Sequence, residues 1–385
     1  MSEHPPDWEE TTLGSVFNQR KEAGFPNEEL LAVTSSMGVV RRDSLERRDT
    51  SNEDKSKYLL VQKGDIAYNT MRMWQGVSGV SRFRGIVSPA YTICTPTEGL
   101  DARFAGYLLK DPEMVSVFRQ RSQGLVSDTW NLKYESFAQI PCTIPPLPEQ
   151  KKIAEILSGI DQQIANQQNK ARKWLYLHQG ILDLLMTQGT TGRAVVDTDA
   201  GKVPDNWNIG RVEDFFTLGR GRVISIPYIK DHPGPYPVFS SQSKNNGEMG
   251  RMDTYDFDGD YFTWTTDGAY AGSVFARSGK FNCTNVCGTG RAKSPDEADT
   301  KFAAYFLQRV AKGHVSYVGN PKLMNNTFAE IPFALPPIDE QSEINEIIDS
   351  ARRNIDLIES QILSLSNLKK SVSSDLLSGR KRVSV

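Results

Sequence analysis

The sequence predicts an α+β protein: two tandem α+β domains, each followed by a long helix, the two helices packed as an antiparallel coiled coil with an internal pseudo-two-fold repeat. Three observations predict it. The segments "FAQIPCTIPPLPEQKKIAEI" (137–156) and "FAEIPFALPPIDEQSEINEI" (328–347) share 11 of 20 positions. The domain openings also match in kind, "PDWEETTLGSVF" from Pro6 and "PDNWNIGRVEDFF" from Pro204. Behind each copy of the shared phrase runs a long stretch with apolar residues at heptad spacing.

The shared phrase marks a joint. A Pro-Pro pair cannot continue a helix and holds its neighbours extended. The acids that follow, Glu149 in one copy and Asp339–Glu340 in the other, suit a first helical turn. Each copy therefore ends a globular part and launches a helix. This divides the chain into a first domain (1–147), a first spacer helix (148–195), a second domain (196–337), and a second spacer helix with a basic tail (338–385). A period near 190–200 residues (about 190, from the spacing of the phrases) is far longer than a solenoid repeat.

Inside each domain the signals are strand-like. "KYLLVQKGDIAYN" alternates short apolar runs with a Lys-Gly-Asp turn, and "DFDGDYFTWTTDGAYAGSVFA" is rich in aromatics, Thr and Gly. "KGDIAYNT" (63–70) and "DGDYFTWT" (258–265) are weak counterparts, as are "SGVSRFRG" (78–85) and "GSVFARSG" (272–279). Residues 101–122 and 296–313 read as amphipathic helices. Without a steady βαβ rhythm, the domains are α+β.

The helices carry a coiled-coil seam. In the first, Ile153, Ile160, Trp174 and Ile181 fall at a, with Leu157, Ile164 and Leu185 at d. In the second, Ile344, Ile358, Leu365 and Val372 fall at a, with Ile348, Ile355, Ile362 and Leu376 at d. Each helix would span roughly 60 Å at 1.5 Å per residue. Neither can hide its stripe alone, and mutual packing is the economical solution.

Charge and chemistry narrow the function classes. The 45 basic and 47 acidic residues nearly cancel, and neither domain is basic, which does not favour a bulk nucleic-acid footprint. The polar start shows no signal segment and no run of 18 apolar residues occurs, so the expectation is a cytoplasmic protein with no membrane span. Four cysteines make no disulfide framework. Cys283 and Cys287 lack a matching His/Cys pair and read as buried small residues rather than zinc ligands. No Walker A motif, dinucleotide loop or nucleophile pattern is present: Gly219-Arg-Gly221 and Gly288-Thr-Gly290 lack the strand-to-helix context, and the four histidines are scattered.

The duplicated "IPPLPEQKKIAEILSGID" and "LPPIDEQSEINEIIDSA", the tandem layout, "GDIAYNTMRMWQG" with "VSPAYTI", and "DLLSGRKRV" echoed by "DLLMTQGTTGR" resemble the specificity subunits of type I restriction-modification systems. The resemblance covers essentially the whole chain. It implies that each domain is a target-recognition domain reading one half of a split, asymmetric double-stranded DNA site. It implies that the helices set the gap and dock two modification subunits that methylate adenine. No catalytic residue, metal or cofactor is then expected in this chain: S-adenosylmethionine, ATP and Mg belong to the modification and restriction subunits. The competing reading is a coiled-coil scaffold joining two protein-binding domains without DNA.

Direct base readout needs polar or cationic side chains on loops that reach a groove. In the first domain the candidates are Arg41, Arg42, Lys55, Lys57, Thr70, Arg72, Gln75, Arg82 and Arg84. In the second they are Arg220, Arg222, Ser241, Gln242, Lys244, Asn245, Asn246, Thr265, Thr266 and Tyr270, with Thr265, Thr266 and Tyr270 at the place matching Thr70.

Overall fold

A Pro-Pro dipeptide and a buried Glu-Gln pair recur at the base of two units with the same central sheet. The computed structural model describes residues 5–46, 52–125, 129–241 and 244–384. It divides into Met1–Gln168 with Ser360–Val385, and Asn169–Glu359.

The first unit runs β1 (Glu9–Thr12), α1 (Leu13–Val16), β2 (Phe17–Arg20), β3 (Leu31–Thr34), β4 (Gly38–Arg41), β5 (Leu59–Val61), β6 (Ile66–Asn69), β7 (Ser78–Val80), β8 (Gly85–Val87), β9 (Tyr91–Pro96), α2 (Ala102–Leu108), α3 (Pro112–Arg121), α4 (Tyr134–Ala138), β10 (Pro141–Ile144) and the start of α5 (Leu147–Gln188). Its central sheet has the order β2-β9-β6-β7, all antiparallel. β1 pairs with β10, so the chain's start is tied to the strand just before the Pro-Pro stop. The stretch 101–122 forms two helices rather than one. Pro112 sits in the first turn of α3 and Asp111 caps it, so the backbone must break there.

The second unit runs β11 (Val195–Thr198), β12 (Gly201–Pro204), β13 (Asn208–Arg211), α6 (Val212–Phe215), β14 (Phe216–Arg220), α7 (Ile226–Asp231), β15 (Tyr236–Phe239), β16 (Glu248–Met252), β17 (Phe257–Asp258), β18 (Tyr261–Thr265), β19 (Val274–Arg277), β20 (Lys280–Cys283), β21 (Cys287–Ala292), α8 (Thr300–Val310), α9 (Asn325–Ala329), β22 (Pro332–Leu335) and the start of α10 (Ile338–Leu377). The sheet β14-β21-β18-β19 repeats the first unit's order, and β13–β22 repeats β1–β10. The outer layer differs: a four-stranded sheet β16-β15-β20-β17 stands where the first unit has the hairpin β3–β4 and the separate strand pair β5–β8.

The glycines of Gly288-Thr-Gly290 serve this sheet. They lie on β21 opposite Trp264 and Phe262 of β18, and a Cβ on either would overlap the facing ring. Close packing, and not a phosphate loop, requires them. Trp264 stacks on Phe328 with ring centroids 3.8 Å apart, as Tyr68 stacks on Phe137 at 5.2 Å in the first unit.

Within each unit the two long helices run antiparallel. In the first, Ile153, Ala154 and Leu157 of α5 share a core with Leu376 and Leu377 of α10, and Lys369 meets Asp161 at 2.6 Å. In the second, Leu182, Leu185 and Met186 share a core with Ile344 and Ile348. Of the heptad positions, Ile153, Leu157, Leu185, Ile344, Ile348, Ile355, Ile358 and Leu376 are buried. Ile160, Ile164, Trp174, Ile181, Ile362, Leu365 and Val372 are half-buried.

Candidate nucleic-acid interface

The recurring phrase fixes each domain to its helix through the same side chains. Glu149 and Glu340 are both buried, and each accepts a hydrogen bond from an indole N–H, Trp8 in one unit and Trp207 in the other, at 3.2 Å. The neighbouring glutamines act as three-way clamps. Gln150 accepts from Asp101 N–H at 2.8 Å and donates to the carbonyls of Gly99 and Pro145. Gln341 does the same with Asp299 N–H, Glu297 and Pro336. A buried amide satisfied on both ends holds one geometry. A tyrosine from the domain then reaches the helix: Tyr107 donates to Asp161 at 2.8 Å, and Tyr305 to Asp349 at 2.6 Å.

What closes each joint differs. Arg382, from the basic tail, makes a bidentate bond to Glu149 and another to Asp7. In the second unit the chain just after α5 takes that place, with Thr190 N–H donating to Glu340 at 3.0 Å. Arg380 and Lys381 both pair with Asp375. The three tail cations are therefore committed to carboxylates of this chain.

Away from the joint, each unit ends its central strand in a loop that leans on a hairpin. In the first, the loop 70–76 leaves β6 and closes at Gly76, whose φ of 74° is left-handed. The backbone of Thr70 is held on both sides, its N–H by Ala90 O and its C=O by Leu132 N–H. In the second, Thr266 makes the same two bonds, to Val286 O and from Leu323 N–H, and the loop closes at Gly272 with φ 80°. Thr266 is thus the counterpart of Thr70. The hairpins are closed by reciprocal backbone bonds, Gln123 with Asn131 and Ser316 with Lys322.

The side chains on this shared frame are unrelated. Trp74 of the first loop packs edge-on against Trp130 of the first hairpin at 5.3 Å, and the Arg119 guanidinium lies 5.7 Å from the Trp130 ring centre. In the second unit Gly268 N–H donates to Pro321 O at 2.9 Å, and Asn320 bonds Asp267.

The sequence-predicted residues fall into distinct places. Thr70, Arg72 and Gln75 share the 70–76 loop, with Arg72 and Gln75 exposed; the Thr70 hydroxyl is spent on Ala90 O at 2.9 Å. Arg41 and Arg84 lie beside the acid pair Glu28–Glu29: Arg84 bonds Glu28 at 2.8 Å and Arg41 meets Glu29 at 3.2 Å. Arg41 stacks on Phe83 and Arg84 on Phe25. Arg82 is exposed, Arg42 opens a short 3-10 turn, and Lys55 and Lys57 flank the turn before Tyr58. In the second unit Arg220 donates to Asn285 O at 2.6 Å, while Arg222 pairs with Asp256 at 2.8 Å. Both thus meet the outer layer around the β20–β21 turn, where Ser240 and Thr284 hydroxyls bond at 3.0 Å. Ser241 is half-buried beside it. Lys244 begins a 3-10 turn in which Asn245 and Asn246 take left-handed φ of 49° and 53°. Gln242 lies outside the described residues. Thr265 and Thr266 are buried, so neither hydroxyl reaches solvent, whereas Tyr270 is exposed on the same loop.

Cys283 and Cys287 are free, buried thiols behind this turn. Beside them Arg277 is buried with its guanidinium 3.6 Å from the Phe239 ring centre, and it donates to Thr263 at 3.1 Å. Burial lowers its pKa to about 10.

The two hairpins were missed from the sequence, along with Trp74, Trp130, Tyr317 and Val318. The signal lay in "NLKYESFAQIP" against "KLMNNTFAEIP": that alignment sets Leu132 on Leu323 and so the two hairpins on each other.

The chain matches the family model of the type I restriction modification DNA specificity domain twice, over residues 5–173 and 204–367. It is 35% identical over 212 residues to the putative type I specificity subunit S.MpnORF615P of Mycoplasma pneumoniae, which spans 55% of this chain and 80% of that protein. It is 42% identical over 139 residues to the type I restriction enzyme MpnII specificity subunit of the same organism, 36% of this chain and 42% of that one. Among solved structures, a type-I restriction-modification system S subunit from M. genitalium shares the fold with a TM-score of 0.60 at 14% identity, over 96% of both chains. The HsdS subunit from Thermoanaerobacter tengcongensis does so at 0.50 and 14%, over 98% of both.

Proposed function

The chain belongs to the type I restriction-modification DNA specificity family, and from that premise we propose that its two units each read one half of a split, asymmetric double-stranded DNA site. One observation carries the reading: the same loop-and-hairpin frame stands at the same place in both units, bearing unrelated side chains. A constant joint with a variable rim suits two readers of different sequences. The long helices then set the gap and dock two modification subunits, with restriction subunits joining that assembly. This chain is the non-catalytic member. S-adenosylmethionine, ATP and Mg reside on the partners, and the assembly works on DNA in the cytoplasm. No helix among the described residues is long and apolar enough to cross a membrane.

Near-neutral charge fits this division of labour, because the partners supply part of the phosphate contact. The test is co-expression of the chain with its modification partner, followed by mapping of methylated adenines in host DNA. The expected result is a two-part motif with a fixed gap. An intact, soluble complex that adds no methylation would favour the scaffold reading.

A further inference from the structure

In each unit the most exposed large apolar side chain among the described residues sits on the same hairpin. It is Leu125 in the first unit, fully exposed, and Val318 in the second, 90% exposed with Tyr317 beside it at 71%. The hairpins share no sequence, so the coincidence is positional. A single exposed apolar side chain is ordinary, whereas adjacent ones rimmed by polar residues mark a partner surface; Tyr317 and Val318 are such neighbours on the second hairpin.

The second hairpin is held firmly in that pose. Ser316 and Lys322 exchange two backbone bonds of 2.9 Å, Gly268 N–H bonds Pro321 O, and Leu323 N–H bonds Thr266 O. Lys312 and Lys322 stand on either side of the hairpin in the chain, are exposed, and form no ion pair among the described residues. The one carboxylate of the adjoining 266–272 loop, Asp267, is bonded by Asn320. An apolar tip bracketed by unpaired lysines fits a polyanion that hides an apolar group between its charges. Duplex DNA is such a partner: phosphates line the groove, and the thymine C5-methyl is the apolar feature of a base edge in the major groove.

Resting on the function proposed above, we infer that Val318 reads a thymine methyl group in the second half-site, with Tyr317 packed beside it and Lys312 and Lys322 on the flanking phosphates. Leu125 holds the equivalent position toward the first half-site.

The test uses the complex of the full chain with its modification subunits. A fluorescent duplex carrying the mapped site is prepared with each thymine of the second half-site changed in turn to deoxyuridine, which removes only the methyl group. One such change is expected to weaken wild-type binding about fourfold, the worth of one buried methyl. The Val318→Ser complex, checked for intact assembly, is expected to bind the normal duplex about that much more weakly and to ignore the same change. Leu125→Ser serves as a second variant, and its loss is expected among first half-site thymines only. A wild-type complex indifferent to every deoxyuridine, a second half-site without thymine, or a Val318→Ser complex that keeps the full penalty would overturn the inference and leave the specificity role standing. A wild-type complex that yields no two-part motif would remove both.

Discussion

The indole N–H of Trp207 donates to the buried Glu340 carboxylate at 3.2 Å, and Thr190 N–H, from the chain just beyond α5, donates to the same carboxylate at 3.0 Å. Hydrogen bonds to charged groups contribute roughly 1.5–3 kcal/mol, and a buried acceptor left short of donors is costly. Trp207→Phe is therefore expected to destabilise the second unit by about 2 kcal/mol, read as a lower urea midpoint with an unchanged slope. Trp8→Phe is expected to cost less, because Arg382 remains on Glu149 through two bonds. Equal losses in both variants would show that the tail arginine adds nothing to the first joint.

Arg382 also sets a pH dependence. Its bond holds the Asp7 carboxyl below the usual carboxylate range. A depressed folded-state pKa contributes stability that is present above the unfolded value, about 3.9, and lost as pH falls through the folded one. The melting temperature of Arg382→Ala is thus expected to lie below wild type at pH 7, with the gap closing as pH drops under 4. A gap that stays constant down to pH 3 would place the arginine's contribution in its bonds to the buried Glu149 or in packing, and not in Asp7.

How legible was all this in the sequence? The duplicated phrase and the heptads were enough for the tandem units and the antiparallel helices, because periodicity and proline stops are local signals. The role of the phrase was not. Glu149 and Glu340 read as first-turn acids, which they are, but their burial under Trp8 and Trp207 depends on partners more than 130 residues away. The candidate readers divide by the same rule. Arg72 and Tyr270 stand on exposed loops, as their turn context suggested. Thr265 and Thr266 lie one strand-end too deep, because β18 carries its pairing to Cys287 through Thr265. Tyr317 and Val318 gave no cue, since nothing in the local sequence distinguishes an exposed hairpin tip from an apolar strand.

Gly290 offers a stability test that needs no partner. A Cβ there would overlap the Phe262 ring, which also packs against Phe216 at 5.1 Å and Phe328 at 5.9 Å and cannot retreat. Overpacking of a core typically costs 1–3 kcal/mol. Gly290→Ala is expected at about the upper end of that range, roughly 3 kcal/mol, and the double variant Gly290→Ala with Phe262→Leu is expected to recover part of it. A silent Gly290→Ala would mean that the sheet can open locally, against the close packing of β18 on β21.

The spacer role predicts a change in spacing without a change in letters. One heptad added to both α5, within 160–185, and α10 keeps every seam residue in phase, so Ile164, Ile181, Ile355 and Ile362 still face inward. Seven residues lengthen a helix by about 10 Å, which corresponds to about three base pairs at 3.4 Å each. The methylated motif of the lengthened protein is therefore expected to keep both half-sites and to widen its gap by about three base pairs, read by sequencing the modified adenines. A four-residue insertion in one helix alone breaks the phase and is expected to lower the yield of complex rather than shift the gap. If the heptad insertion altered the half-site letters instead, the helices themselves would be in contact with bases, and the loop-and-hairpin frame would lose its claim to the reading role.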